Sequence, residues 1–298
     1  MNTLRKRFNG DRIGYLFVLP ALVYMLSFVG YPMVNNIIMS FQDISIETFT
    51  QARKFVGLEN YMELFKGSIL SLTIYNTFYF TIFSVIFQFG IGFALALLFS
   101  RKFILAKSLR GFIVISWLIP VTITALLYKF MFSMDGGIIN EALLYSGIIN
   151  KPVEWLIQPF SAIWAIIIAN IWIGVPFNMT LMATGLATIP KELYESADID
   201  GANKFHKFFS ITIPYVKPAI KAVLILGFIY TFKVFDLVYI MTGGGPVNAT
   251  ELLSTYSYRL SFSEFNFSRG AAVTNILFVI LFIVGLGYLR LVKDEEVM

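Results

Sequence analysis

Residues 188–218 read TIPKELYESADIDGANKFHKFFSITIPYVKP, a long polar segment between two strongly apolar runs that still carries a folding pattern. Thr188 is placed to cap a helix that has Pro190 in its first turn. The dipeptide Asp200-Gly201 supplies the turn chemistry that ends this helix. The segment therefore predicts a helix that is broken near its middle by a glycine-centred turn.

A second short helix is expected to begin near Ala202. Phe205, Phe208 and Phe209 recur at i, i+3 and i+4, so they share one face of that helix. A loop that only joined two membrane spans would not need this apolar face, which therefore predicts a docking surface. His206 lies in the same helix, and we expect it to be a solvated surface residue.

The composition places the chain in a lipid bilayer. Of its 298 residues, 57% are hydrophobic and only 14% are charged, whereas soluble domains carry about 25% charged residues. A sequence pI of about 9.2 would also suit a nucleic-acid-binding protein, but the basic residues concentrate in short loops, as membrane topology requires. The chain has no cysteine and one histidine, which excludes a disulfide framework, a thiol nucleophile and a histidine cluster.

Six transmembrane helices are predicted from runs of about 20 apolar residues. The first run follows basic residues, as in a signal peptide, but it is too long for one and lacks a small-x-small cleavage site. We therefore interpret it as a retained anchor. The predicted spans cover, approximately, residues 13–39, a part of 71–100, 112–132, 160–186, 218–241 and 270–289.

Three segments follow from these spans: an N-terminal anchor with an extracytoplasmic segment (1–70), one membrane domain (71–291) and a cytoplasmic tail (292–298). Basic residues are more frequent at one set of span ends than at the other. This bias puts both termini and the 188–214 loop in the cytoplasm. The residues that decide the orientation are Arg5, Lys6, Arg7, Arg12, Arg101, Lys102, Lys107, Arg110, Lys191, Lys204, Lys207, Lys217, Lys221, Arg290 and Lys293.

Nucleotide hydrolysis by the chain itself is disfavoured. No Gly-Lys dipeptide occurs, so there is no Walker A loop. The run Gly243-Gly244-Gly245-Pro246 lacks the lysine and the following helix of a phosphate-binding loop, and a tight turn is the preferred interpretation. An ATP-driven process would need the ATPase on another polypeptide.

The predicted fifth span contains two charges, Lys233 and Asp236, three residues apart and so on one helical face. Each costs about 2.5–3.5 kcal/mol at the bilayer centre, so such residues often mark a pathway. They could line a substrate pathway or gate, or form a mutually neutralising pair near the outer interface. Asp236 also leaves open a proton-coupled secondary transporter.

Aromatic residues around this pair are candidates for sugar contact, because ring faces stack on sugar C–H faces and phenols bond sugar hydroxyls. Packing against helices or lipid is the alternative, since the chain has 31 phenylalanines. Trp172, Asn178 and Asn275 are weaker candidates, and an asparagine in an apolar span can equally join two helices. The aromatic candidates are Tyr230, Phe232, Phe235 and Tyr239.

The sequence Glu195-Ser196-Ala197, followed by Gly201 and by Ile211 to Pro214, resembles the EAA loop of ABC importer permeases. It departs from the family pattern at Ser196, usually Ala, and at Ile213, usually Leu. The resemblance implies that this loop is a coupling helix that fits a groove on a cytoplasmic ATPase. The coupling residues it implies are Tyr194, Glu195, Ser196, Ala197, Asp200, Gly201, Ala202, Phe205 and Pro214.

A second resemblance, to carbohydrate-importing permeases of the maltose type, rests on the exit from span five and the start of span six. It is carried by Phe235-Asp236, Tyr239, Thr242 to Pro246, Tyr256 to Arg259, Phe262 and Gly270-Ala271-Ala272. The two resemblances cover roughly residues 71–291. They imply an all-α membrane protein of the ABC importer type I permease fold that moves a sugar, an oligosaccharide or a sugar derivative inward.

The resemblances also imply the assembly around this chain. The expected partners are a second homologous permease subunit, two ABC ATPase subunits that bind ATP and Mg²⁺, an extracytoplasmic solute-binding protein and the membrane lipid. The chain itself is expected to be non-catalytic, without cofactor or metal, in a bacterial or archaeal cytoplasmic membrane. A secondary transporter should show repeats and paired broken helices, and a membrane enzyme should show convergent acid–base or metal-binding groups; the sequence shows neither pattern.

Overall fold

A computed structural model describes residues 2–48, 50–51, 53–101 and 103–296. Lys102, used above to orient the chain, and residues 297–298 of the predicted tail lie outside the described residues. The chain forms two compact units, Met1–Lys66 with Ser257–Ile276 and Gly67–Tyr256 with Leu277–Met298. These units do not coincide with the predicted segments 1–70 and 71–291. The predicted division into an anchor segment and a membrane domain stays a prediction.

Helices make up almost all of the regular structure, and one short antiparallel hairpin pairs Gln42 with Phe55 and Asp43 with Lys54. Short 3-10 or π turns join several helices, at Leu26–Gly30, Ser116–Leu118, Phe208–Thr212 and Arg259–Ser263. In chain order the elements are α1 (Asn2–Met25), α2 (Tyr31–Met39), β1 (Gln42–Asp43), β2 (Lys54–Phe55), α3 (Glu59–Lys66), α4 (Ser68–Phe99), α5 (Ala106–Ile115), α6 (Val121–Met131), α7 (Ile138–Tyr145), α8 (Pro159–Ala187), α9 (Lys191–Ile199), α10 (Lys204–Lys207), α11 (Ile213–Phe232), α12 (Asp236–Met241), α13 (Leu253–Tyr258) and α14 (Phe267–Glu296).

Within the first unit, α1, a π turn and α2 form a continuous helical rod whose segment Gly14–Met39 is long and apolar enough to span a membrane. This confirms the first predicted span. The most apolar window of the rod is not buried by the rest of the chain. Its side chains are therefore left to contact lipid or another protein chain.

A polar network joins α2 to the start of α14 in the same unit. Asn36 Nδ2 donates to Asn275 Oδ1 at 2.8 Å, and Asn275 Nδ2 donates to the Tyr61 hydroxyl at 3.2 Å. That hydroxyl donates in turn to Ser40 Oγ at 2.8 Å. An ion pair between Arg269 and Glu63 ties α14 to α3. The segment 257–276 thus holds the N-terminal helices through side-chain hydrogen bonds rather than through apolar burial alone.

The second unit is built around the contact of α4 with α8. Both helices are free of charged residues, as expected for buried membrane spans. Glycines let their backbones approach closely: a Cβ at Gly92 would lie 2.6 Å from Asn178 Cβ, and one at Gly174 would lie 2.2 Å from Gln88 Cδ. Small residues at helix contacts are the usual device for close packing in membranes. α11 packs on both helices and completes the bundle core.

Five helices of the described chain are long and apolar enough to span a membrane, or six if a bent pair counts as one span. The bent pair is the predicted third span: Ala106–Leu118 and Val121–Met131 meet at an angle of 100°. Pro120 causes the break, because it sits at the N-cap of α6 and cannot continue the preceding helix.

The predicted fifth span also differs in its limits. The apolar helical segment runs from Lys204 to Phe232, through α10, a π turn and α11. It ends before Lys233, and α12 begins only at Asp236. The two charges therefore do not lie on one face of one helix, and that prediction is wrong.

Candidate functional site

The helix predicted in the 188–218 segment exists as α9, but its cap differs from the prediction. Pro190 occupies the N-cap position and offers no side-chain hydrogen bond. Thr188 instead ends the preceding helix, where its Oγ1 donates to the main-chain oxygen of Gly185 at 2.8 Å. The prediction failed because α8 runs to Ala187, so the Thr188 hydroxyl bonds back to its own helix.

The predicted glycine turn is confirmed. Gly201 has φ +72°, in the left-handed region that favours glycine, and Ala202 N donates to Ala197 O at 2.9 Å across the turn. The second helix starts at Lys204, two residues later than predicted. Asn203 caps it by accepting a hydrogen bond from His206 N at 2.8 Å, as a short amide side chain does well.

Two contacts hold this segment against the bundle, and an ion pair joins α9 to α10. The Tyr194 hydroxyl bonds Thr212 Oγ1 at 2.9 Å, and an ion pair joins Lys207 to Asp198. The Phe208 ring stacks on Phe93 of α4, with centroids 6.2 Å apart. Phe208 therefore points inward, away from the face that was predicted to carry all three phenylalanines. Tyr194 packs with the apolar cluster at this end of the bundle, so its ring anchors the loop.

The outward side of the loop carries an apolar face. The side chains of Ile199, Phe205 and Phe209 are 88%, 77% and 65% exposed. Glu195, Ser196 and Pro214 are exposed as well, and so is His206, as predicted. Beside this face lies a groove of about 410 Å³, lined by Ala197, Asp200, Gly201, Ala202, Asn203, His206, Ser210 and Ile211. The three exposed apolar residues and this groove are called the coupling surface below.

A second candidate site is a cavity of about 500 Å³ in the second unit, called the central cavity below. It lies among α4, α6, α8, α11 and the turn that precedes α6. None of the described residues that line it carries a formal charge at neutral pH. They are Gln88, Trp117, Val121, Asn170, Ile173, Gly174, Phe177, Asn178, Gly227, Tyr230, Thr231 and Val234.

Three buried amides give the central cavity its polar groups. Gln88 Nε2 donates to the main-chain oxygen of Asn170 at 2.9 Å, and Asn178 Nδ2 donates to that of Gly174 at 2.8 Å. Asn170 is 3% exposed, yet its Nδ2 has no hydrogen-bond acceptor among the described residues. A buried donor without an acceptor costs about 1–3 kcal/mol, so an acceptor that reached this amide would relieve that cost.

Aromatic rings form the apolar side of the cavity. Phe177 contacts Trp117 at a centroid distance of 6.0 Å and meets Tyr230 edge-on at 5.8 Å. The Tyr230 ring is 54% exposed, and the ammonium of Lys233 lies 5.4 Å from its centroid. Rings beside hydrogen-bonding amides match the alternating apolar and hydroxyl surfaces of a sugar.

The structure brings only some of the predicted pathway residues to this cavity. Tyr230 lines it. Phe232 is fully buried and packs on Phe228 and Phe78, so it lies in the core and not on the cavity, and its pathway role stays a prediction. Asn275 joins α14 to α2 in the first unit, which supports the alternative role in helix contact.

The remaining pathway candidates lie around the α11–α12 break. Lys233 and Asp236 are exposed and form no ion pair with each other within the described chain, so the neutralising-pair interpretation is wrong. The rings of Phe235 and Tyr239 stack at 5.1 Å. A pathway role for these four residues stays a prediction.

Of the three buried amides in the cavity, sequence reasoning named Asn178 as a weaker candidate and missed the other two. Gln88 and Asn170 are amides inside predicted spans without charged residues, and a buried amide in a span usually has a structural or functional partner. That signal was present in the sequence. Trp117 had no such signal, because its position depends on the bend at Pro120.

The long apolar helices, the cavity between them and the exposed loop together define a polytopic membrane transport subunit. The chain belongs to the family described as "Binding-protein-dependent transport system inner membrane component", whose profile matches residues 88–293. It is therefore a multi-pass component of the inner membrane.

Relatives and solved structures agree with this assignment. The chain is 34% identical to the trehalose/maltose transport system permease protein MalF of Thermococcus litoralis, over 97% of this chain and 96% of the relative. It also resembles a crystal structure of a bacterial ABC transporter involved in the import of the acidic polysaccharide alginate. That structure has a TM-score of 0.83 and 24% identity, over 98% of this chain and 99% of the other. A second structure of the alginate transporter, in complex with an alginate pentasaccharide-bound periplasmic protein, has a TM-score of 0.81 and 23% identity, over 95% of this chain and 94% of the other.

Proposed function

We propose that this chain is the permease subunit of an ATP-driven ABC importer, and that it moves an uncharged sugar, oligosaccharide or sugar derivative inward. The observation that carries the proposal is the central cavity, which offers buried amides and aromatic rings without a charged side chain. Its volume of about 500 Å³ lies in the usual range of small-molecule pockets. The trehalose/maltose relative supports the carbohydrate class.

The absence of charge in the cavity narrows the substrate further. An acidic sugar would meet no cation among the lining residues, and an unpaired charge there is unfavourable; the ammonium of Lys233 lies outside the lining, beside the Tyr230 ring. The alginate transporter shares the fold of this chain, but it is involved in the import of an acidic polysaccharide. We therefore expect neutral sugars to be transported in preference to uronic acids.

The coupling surface is proposed to bind an ABC ATPase subunit in the cytoplasm. Exposed apolar side chains next to a groove fit insertion into a complementary pocket on a partner. The contacts of Tyr194 with Thr212 and of Phe208 with Phe93 would pass a movement of this surface to the bundle. Glu195 and Ser196 are exposed on α9 and are proposed to contact the ATPase directly.

The proposed assembly has this chain, a second homologous permease, two ATPase subunits that hold ATP and Mg²⁺, and an extracytoplasmic solute-binding protein. ATP binding would draw the ATPases together and open the cavity outward to receive sugar from the binding protein. Hydrolysis would return the bundle to an inward-facing state. The alginate transporter structure with its sugar-bound periplasmic protein supports the binding-protein partner.

The cavity proposal is tested by Tyr230→Ala and Asn170→Ala in the complete importer reconstituted with its binding protein. We expect each change to lower uptake at subsaturating sugar roughly tenfold, since a lost aromatic contact or hydrogen bond costs about 1–1.5 kcal/mol. Basal ATPase activity should persist. Tyr15→Ala is the matched control, because Tyr15 is 74% exposed on the first span and does not line the cavity.

Two results would contradict the proposal. The first is wild-type uptake by both cavity variants. The second is a substrate panel on which glucuronate-containing oligosaccharides are taken up as well as neutral ones of the same length.

A further inference from the structure

The segment that leaves α4 and enters α5 carries a concave basic patch outside the two sites above. Arg101, Lys107 and Arg110 border an open pocket of about 600 Å³. All three side chains are exposed, and none forms an ion pair or a hydrogen bond with another described residue. No acidic residue occurs in the sequence between Lys66 and Asp135. The patch, called the basic rim below, therefore has no nearby countercharge on its own stretch of chain.

Apolar side chains flank the basic rim. Ile104 is 100% exposed, Leu105 59% and Leu109 45%. Phe103 also lines the pocket and stacks on Phe99 at a centroid distance of 6.1 Å. Basic and exposed apolar residues thus alternate over a short stretch, which is typical of a segment that lies at a membrane surface.

The basic rim directly follows the end of α4, whose residues Ser68–Phe99 are long and apolar enough to span a membrane, so it lies where the chain leaves the bilayer. α5 with its 3-10 extension ends at Leu118, and α6 follows at 100°. The two arms together form the bent third span. α5 has no fully buried residue, whereas α6 buries Thr124 and Ala125 in the bundle. The arm that carries the basic rim is therefore the less buried arm of the bent span.

We propose that the basic rim binds the phosphate-bearing headgroup of an anionic phospholipid, with the exposed leucine and isoleucine side chains inserted between the acyl chains. Its three cations suit a phosphate, and a zwitterionic headgroup would cancel much of the attraction. The apolar flank argues for a lipid rather than a free phosphate ion, which would gain nothing from Ile104. Ile113 and Val114 of α5 pack in the same apolar cluster as Tyr194, so the lipid would lie at the end of the bundle that carries the coupling surface.

The test uses the absence of cysteine in the chain. Ser108→Cys, exposed on α5, is labelled with a fluorophore in the complete importer, which is reconstituted in nanodiscs of phosphatidylcholine. Either phosphatidylglycerol or phosphatidylcholine with a nitroxide near the headgroup is then added at equal mole fraction. We expect stronger quenching by phosphatidylglycerol, and a preference that falls as salt rises, because exposed charges are screened.

The variant R101Q/K107Q/R110Q should lose this preference for phosphatidylglycerol. Each charge removed should lower the preference about fivefold. K54Q/K66Q/K151Q removes the same charge from exposed positions elsewhere and should keep the preference. Equal quenching by both lipids in the importer with the unmutated rim would overturn the proposal. An unchanged preference in the triple variant would overturn it as well. Quenching by neither lipid would mean that a protein partner covers the rim, which also overturns it. If the triple variant does not assemble, R110Q and the salt titration decide the question.

Discussion

Gly201 shows how one backbone angle shapes the coupling surface. Its φ is +72°, and a Cβ built there would have no atom within 4 Å. A substitution would therefore act through backbone strain and not through a clash. A β-branched residue in this conformation costs at least about 1–2 kcal/mol, whereas asparagine tolerates it.

We expect Gly201→Val to lower sugar uptake and sugar-stimulated ATPase activity at least about fivefold, because the turn between α9 and α10 would rearrange. Gly201→Asn is the control and should stay close to wild type. Both activities are measured in proteoliposomes with the binding protein. Wild-type coupling in the valine variant would show that this turn is not needed.

Gly174 supports the cavity in a different way, through the space it leaves for Gln88. A Cβ at this position would lie 2.2 Å from Gln88 Cδ, so alanine would force the amide away from Asn170. Overpacking of this kind costs about 1–3 kcal/mol. Gly174→Ala should therefore lower the melting temperature of the purified complex, and adding Gln88→Ala should restore it.

Gly90→Ala is the matched control. Gly90 lies on α4, one of the two helices in this contact, and a Cβ built there would have no atom within 4 Å. This variant should leave the melting temperature unchanged or slightly higher, because alanine favours helix. A Gly174→Ala variant as stable as Gly90→Ala would mean that the Gln88 amide moves without cost.

At the scale of the elements, the contact between α2 and α14 depends on a hydrogen bond between two amides. Asn36 and Asn275 are joined at 2.8 Å, and the coupling energy of such pairs in membrane proteins averages about 0.6 kcal/mol, with a maximum of about 1.7. We expect a double-mutant cycle of Asn36→Ala and Asn275→Ala, followed by thermal unfolding in detergent, to give a value in this range.

Asn35→Ala is the control for that cycle. The Asn35 amide contacts Met39 sulfur at 3.6 Å, a weak bond within one helix, so its removal should be additive with Asn275→Ala. A coupling energy near zero for the Asn36–Asn275 pair would show that α2 is held to α14 by other contacts.

Proline decides the limits of several elements. Pro20 and Pro218 are accommodated inside helices, whereas Pro120 stands at a 100° bend. A helix interior tolerates proline only when neighbours satisfy the freed carbonyl group. Sequence patterns identify each proline, but the surrounding helices determine which one interrupts the span.

At the scale of the whole molecule, the distribution of basic residues predicts that both termini and the coupling surface face the cytoplasm. Single cysteines test this topology without interference, because the chain has none of its own. In cells that lack the ATPase subunits, which would otherwise cover this position, we expect Ser196→Cys on α9 to react with a membrane-impermeant maleimide only after the cells are permeabilised. Ser146→Cys, exposed just after α7, should react in intact cells.

Each cysteine is the control for the other, because the two positions are predicted to lie on opposite sides of the membrane. Equal reactivity of both cysteines in intact cells would contradict the topology. Reaction of Ser196→Cys alone would invert it, and the coupling surface could then not meet a cytoplasmic ATPase.

The sequence by itself determined the class of protein, most of the spans and the loop at 188–218. These properties depend on local quantities: apolar run length, turn chemistry at Gly201 and the placement of basic residues. These properties can be predicted without knowing which helices contact each other. The identity of the coupling loop came from a resemblance carried by a short motif, and its contact with an ATPase stays a prediction.

The tertiary structure alone decided where the cavity lies and which polar residues serve it. Phe232 and Tyr230 lie two residues apart in similar sequence, yet one is buried in the core and the other lines the cavity. Gln88 meets Asn170 across two helices because Gly174 leaves room for the amide. In a chain this apolar, almost every helix face is hydrophobic, so the hydrophobic pattern cannot show which face is buried. The close approach of backbones at small residues decides which face is buried.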